Sequence, residues 1–243
     1  IQHSLHRAGI FAALQQHLET SRYSDVPSGA ESRAAHARMK AKLDGFLAPF
    51  GSVLREYPER DTSTPALIAR AVAYHRTNRL AETDAAIDAL RTRLPQDPFI
   101  QELYGQILFE RGDNTQAIEA YKRAYELAPN EPLIAIAYAQ ALVVAPGTAD
   151  LDLAVKLLER AVRQDSESGG AWRTLGTAYG RQGQLGEAAL ALAESESRFG
   201  RADLAFQQAS RAQTLLKTGS PAWLRAEDIR QAAERALIKR AEH

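Results

Sequence analysis

The chain is 243 residues long, with 30 basic and 30 acidic side chains and no cysteine. That length can bury a substantial core, while a formal charge of zero argues against nucleic acid, whose phosphates call for a clearly basic surface. The lack of cysteine excludes disulfides and thiolate chemistry, and no apolar run approaches the ~18 residues of a membrane span. The first residue is Ile1 and the single methionine is Met39, so the chain reads as a piece of a longer or processed protein.

Residues 5–18 predict an amphipathic helix, with Leu5, Ala8, Ile10, Phe11, Leu14 and Leu18 on its apolar stripe. A turn holding Pro27 and Gly29 follows, then a second helix over about 31–47 with Ala35, Met39, Leu43 and Phe46 on its inner face. Pro49, Gly51 and Pro58 break up the interval 48–63. Residues 1–63 are therefore expected to form an N-terminal helical segment.

From Thr64 the chain repeats. Small residues Thr83, Ala117, Ala154 and Ala188 recur at intervals of 34, 37 and 34, and the stretch Pro98–Pro132 is one complete unit. In it Gly105 and Ala117 are small where two helices cross. Leu108, Tyr121 and Ala124 fill the surrounding space, Gly112 ends the first helix and Pro129 stops the second. A period near 34 with these offsets is the tetratricopeptide (TPR) pattern. The first repeat carries Asn78 in place of the turn glycine, the third has three extra residues in its 145–150 turn, and the fourth runs from Trp172 through Leu192. Ala205, Ala209 and Ala212 then recur only 17 residues after Ala188, so the helix at about 186–199 is expected to serve two neighbours. Ser220 and Pro221 open a last helix with Trp223, Leu224, Ile229, Ala233 and Leu237 facing inward. The fold class that follows is all-α: a TPR α-solenoid of about four repeats (64–220) with a half-repeat, a capping helix (221–243) and the N-terminal segment.

No His-Glu-x-x-His pair, phosphate-cradling loop or nucleophile elbow is present, so the chain is expected to have neither catalytic residues nor a metal site. His3 and His6 are three apart without a third ligand nearby. The functional surface is expected to be the groove lined by the first helices of the repeats. Its candidate partner-binding residues are His75, Arg76, Phe99, Glu102, Gln106, Phe109, Ile136, Gln140, Arg173, Thr177 and Arg181, with Ile68, Val72, Leu133 and Val143 at matching offsets. A protein or extended peptide suits such a surface. Residues 96–131 carry seven Asp and Glu against Arg111, Lys122 and Arg123, which leaves charge-guided docking toward the Arg173 end open. Ile68 and Val72 stand where TPR domains that clamp chaperone C-termini carry Lys and Asn, which argues against that use.

Five stretches, at 37–50, 57–76, 101–112, 171–194 and 219–229, resemble the C-terminal region of bacterial periplasmic zinc metallopeptidases like the beta-barrel assembly-enhancing protease, BepA. At the start, His3, Leu5 and Ile10 are similar to a segment of that family ending its protease domain, with Ser4 and Gly9 departing from it. The resemblance implies a periplasmic protein and a zinc-dependent protease domain outside this chain. It also implies a TPR part that binds client outer-membrane proteins, the assembly machinery or its own protease domain. A free-standing TPR adaptor or assembly scaffold is the alternative.

Overall fold

The computed structural model describes residues 29–147 and 150–241; the expected helix at 5–18 and the His3–His6 pair lie outside them. The described residues form twelve helices and no strand, and the chain divides into two compact units at Pro95.

The first unit holds α1 (Ala30–Leu47), α2 (Phe50–Glu56), α3 (Thr64–Arg76) and α4 (Leu80–Arg93). Ser63 accepts a hydrogen bond from the Ala66 amide at 3.4 Å and Pro65 sits in the first turn, so the sequence starts α3 at both levels. Asn78 ends it with φ 57°, the left-handed conformation that glycine takes at the same turn elsewhere. Thr83 is fully buried at the crossing, and its Oγ1 donates to the Arg79 carbonyl at 2.8 Å, which satisfies the hydroxyl.

The N-terminal segment does not stand apart from the first repeat, because α1 packs directly along α3. Its inner face differs from the expected one. Met39 is 64% exposed and Ala35 and Leu43 are also exposed, while Ala41, Asp44 and Gly45 are buried. The reason is backbone proximity: a Cβ on Gly45 would come within 2.7 Å of the Ala69 carbonyl oxygen and 2.8 Å of Val72 Cβ. Only the face of small residues lets the two helices approach that closely. Asp44 is satisfied there, accepting from Tyr57 Oη at 2.6 Å and from Lys40 Nζ at 2.7 Å. Burial and the hydrogen bond to Asp44 push the Tyr57 phenol up to about 12.

The second unit holds α5 (Pro98–Glu110), α6 (Asn114–Leu127), α7 (Pro132–Val144), α8 (Leu151–Gln164), α9 (Gly169–Arg181), α10 (Leu185–Arg198), α11 (Ala202–Leu215) and α12 (Pro221–Ala241). Three helix pairs follow one rule, in which a small residue sits at the crossing and a large one covers it. Ala117 and Ala154 are fully buried, and Gly105 and Gly176 are so closely covered that a Cβ would meet the Tyr121 ring or Leu192 at 2.9 Å. One continuous core of Leu, Val, Ala and Tyr runs from α5 to α10. Turn geometry repeats as well: Gly112, Gly183 and Gly200 all have positive φ, near 70–84°.

The 17-residue spacing is realised as expected. Helix α10 packs against both α9 and α11, and Ala205, Ala209 and Ala212 of α11 are buried. On α12, Ile229 and Ala233 are buried and Trp223 and Leu237 are half-buried, but Leu224 is 52% exposed and fully buried Ala226 lies on the inner face instead. Two residues are roughly 200° of helix turn, so a face centred on Ala226, Ile229 and Ala233 leaves Leu224 opposite. The Trp223 indole N–H donates to the Gln213 carbonyl at 3.1 Å and fixes the ring at the edge.

Candidate functional site

The first helices α5, α7 and α9 lie side by side in the second unit, α7 between the other two. Their second, fifth and ninth residues form three rows: Phe99, Leu133 and Gly170; Glu102, Ile136 and Arg173; Gln106, Gln140 and Thr177. Phe99, Leu133, Gln140, Arg173 and Thr177 are exposed, and Glu102, Gln106 and Ile136 are half-buried. Phe109 is half-buried and, like Ile136, packs on the core beneath. Val143 is buried outright. The rows therefore offer apolar contact at Phe99 and Leu133, amides at Gln106 and Gln140, and positive charge at Arg173. Gln106 donates to Glu110 at 2.9 Å, and the Thr177 hydroxyl donates to the Arg173 carbonyl at 3.1 Å, so each is held on its own helix.

The same positions on α3 are closed. Ile68 and Val72 are buried, with Gly45 of α1 against Val72. Arg76 donates to the carbonyls of Gly45 at 2.8 Å and Ala48 at 3.2 Å, and His75 is half-buried beside it. Arg76 thus holds the end of α1.

Arg181 does the same in the second unit. Its guanidinium donates to the carbonyls of Val143, Ala145 (2.9 Å) and Gly147, at the end of α7. The sequence places Arg181 in the groove with Arg173, but the structure separates their roles: Arg181 is tied to backbone, whereas the Arg173 side chain is 47% exposed.

Two residues beside Arg173 were not singled out by the repeat offsets. Phe199 ends α10, and its ring lies 4.8 Å from the Arg173 guanidinium and 5.2 Å from that of Arg201. The ring is held from below by Gly169, where a Cβ would sit 3.0 Å from two ring atoms. Glu196, mostly buried, meets Arg173 at 3.5 Å and Arg201 at 3.1 Å. The signal was present as two arginines flanking an aromatic, Arg198-Phe199-Gly200-Arg201, but it falls at a helix end that the repeat pattern treats only as a turn. A neighbouring carboxylate, Glu194, is 2% exposed and paired with Arg198 at 2.8 Å and with Arg225 of α12. Among the described residues no group of three His, Asp or Glu is placed to hold a metal ion, and no helix is long and apolar enough to cross a membrane.

Residues 55–205 match the family described as the cytochrome c-type biogenesis protein H TPR domain. No curated protein matches the chain. Among solved structures, the TPR protein YrrB, described as having an unusual peptide-binding site, aligns over 75% of this chain and 98% of its own at 16% identity, with a TM-score of 0.55. The MamA protein aligns over 79% and 92% at 15% identity and 0.51, and pilF of Pseudomonas aeruginosa over 80% and 98% at 15% identity and 0.50. These likenesses show the TPR fold expected from the repeat spacing.

Proposed function

This chain belongs to the cytochrome c-type biogenesis protein H TPR domain family, and from that premise we propose that it holds unfolded polypeptide during the biogenesis of c-type cytochromes. It is a TPR protein-interaction module. The observation that carries the reading is the open face of α5, α7 and α9, on which Phe99, Leu133, Gln140 and Arg173 all stand exposed. Apolar side chains supply contact that is indifferent to order in the bound chain, and amides can both donate to and accept from its backbone. A folded partner would offer few free backbone groups to such amides, because most of its own are already paired.

Binding of haem-free cytochrome c polypeptide, measured by calorimetry against the folded haem protein as control, tests this. Saturable binding of the haem-free chain alone is expected; equal binding of both forms, or of neither, refutes it.

A second reading rests on the five stretches similar to BepA-like metallopeptidases. On it the module is periplasmic, serves a zinc-bearing protease domain outside this chain, and takes outer-membrane β-barrel polypeptides as clients. The same assay separates the two, since an unfolded β-barrel protein would then compete with and outbind the haem-free cytochrome.

A further inference from the structure

The arginines around Phe199 are charged out of proportion to their partner. One carboxylate, Glu196, serves two guanidinium groups, and it is the buried member: its side chain is 12% exposed, against 47% for Arg173 and 50% for Arg201. The Arg173 contact, at 3.5 Å, is the looser of the two. Both guanidinium groups lie over the ring of Phe199, itself 46% exposed, so the ring face attracts both cations. Two planar guanidinium groups thus share one mostly buried carboxylate, beside the apolar row.

We propose that Arg173, Phe199 and Arg201 form a subsite for an acidic side chain of the bound polypeptide, whose apolar residues lie on Leu133 and Phe99. This rests on the polypeptide-binding reading above and adds the sequence class of the ligand. Two features of the row set the register. Neighbouring first helices are separated by roughly 8–10 Å, and an extended chain advances about 3.3 Å per residue, so one helix step is about three residues. The second position on α9 is Gly170, where a Cβ would meet nothing within 4 Å. A slot therefore lies open between Leu133 and the arginines. The ligand is an extended segment with two apolar residues three apart and an Asp or Glu three further on.

The carboxylate proposed is that of a side chain inside the bound segment. Helix α11 begins directly after Arg201, with exposed Asp203 in its first turn. A chain can run past the subsite, but a second acidic residue there would meet like charge.

Fluorescence anisotropy with labelled, C-terminally amidated peptides tests the assignment. The probe carries Leu-x-x-Leu-x-x-Glu, or the reverse order, in a Ser/Ala background. Replacing the probe's Glu by Gln is expected to weaken binding at least roughly tenfold, the size of one charge-assisted hydrogen-bonded contact, and needs no change in the protein. Arg173→Ala with Arg201→Ala is expected to abolish the difference between the Glu and Gln probes. Equal affinity of the two probes for the unaltered chain overturns the subsite, as does binding that appears only when the probe's terminus is a free carboxylate. If the haem-free cytochrome binds and neither probe does, the subsite falls while the broader function stands. If the Glu probe is discriminated and the cytochrome is ignored, the subsite stands and the pathway falls.

Discussion

The crossing at Gly105 makes a sharp test because the same substitution elsewhere has the opposite sign. A methyl group at Gly105 would lie 2.9–3.0 Å from Cδ1, Cε1 and Cγ of Tyr121, a ring that is buried and lies in the core between α5 and α6. Relieving that overlap moves either the ring or the helices, which costs about 1–3 kcal/mol. Ala gains about 1 kcal/mol over Gly in helix propensity, so Gly105→Ala should destabilise by roughly 0–2 kcal/mol net. Gly170 is also helical, but its added Cβ meets nothing within 4 Å. Gly170→Ala keeps only the propensity gain and should stabilise by about 0.5–1 kcal/mol. For a domain of this size the two variants should melt roughly 1–12 °C apart, Gly105→Ala lower. Thermal unfolding followed by circular dichroism reads this directly. Gly105→Ala melting no lower than Gly170→Ala would mean that α5 and α6 do not cross at Gly105, and the repeat register would fall with it.

Two further perturbations address the ionic groups. Glu194→Ala strands Arg198 and Arg225 around a buried hole and should cost roughly 2–3 kcal/mol, because Glu194 is buried although its arginines are partly solvated; urea unfolding with an unchanged midpoint would refute that pairing. In an alkaline titration followed at 295 nm, Tyr57, Tyr74, Tyr121, Tyr138 and Tyr179 should ionise above the ordinary tyrosine range. Burial is the main cause in each, assisted by Asp44 at Tyr57, Glu59 at Tyr74 and Glu159 at Tyr179. Raised folded-state values mean the folded chain keeps protons that the unfolded chain releases, so this stability is complete below pH 10 and is lost as pH rises through about 12 at Tyr57. A single transition centred on the ordinary value in the still-folded protein would contradict it.

The sequence made the repeat legible because the crossings demand small residues at fixed intervals, and Thr83, Ala117, Ala154 and Ala188 all obey. Asn78 was readable as a turn residue for the same kind of reason, since few other side chains tolerate φ near 57°. The face of α1 was not readable. Hydrophobic periodicity points to Met39 and Leu43, but what decides the packing is how closely α3 approaches, and that selected Gly45, Ala41 and a satisfied Asp44. Phe199 escaped notice because its role comes from Arg173 on another helix, a juxtaposition that spacing along α10 does not encode.

Arg76 and Arg181 illustrate a more general ambiguity, which the helix ends resolve. Where a first helix ends in a residue of positive φ, the turn satisfies its own last carbonyls: the Arg79 amide donates to Tyr74, Asp113 to Leu108 and Gln184 to Tyr179, each at 2.9–3.0 Å. Helices α1 and α7 end differently, at Ala48 and Ala145, each followed by proline, Pro49 and Pro146. A residue before proline is driven out of the helical region, and both alanines are extended, with ψ 153° and 147°. The chain leaves straight, and the last carbonyls are left to an outside donor. Arg76 and Arg181, each the thirteenth and last residue of the next first helix, supply it. An Ala-Pro helix end paired with a terminal arginine on the following first helix is therefore the mark of a cap, and a groove arginine such as Arg173 lacks it. Arg181→Ala should accordingly lower stability by roughly 1–2 kcal/mol while leaving discrimination between Glu- and Gln-bearing peptides intact. Arg173→Ala should do the reverse. If Arg181→Ala melts with the unaltered chain and loses that discrimination, the two arginines have exchanged roles and the capping argument is wrong.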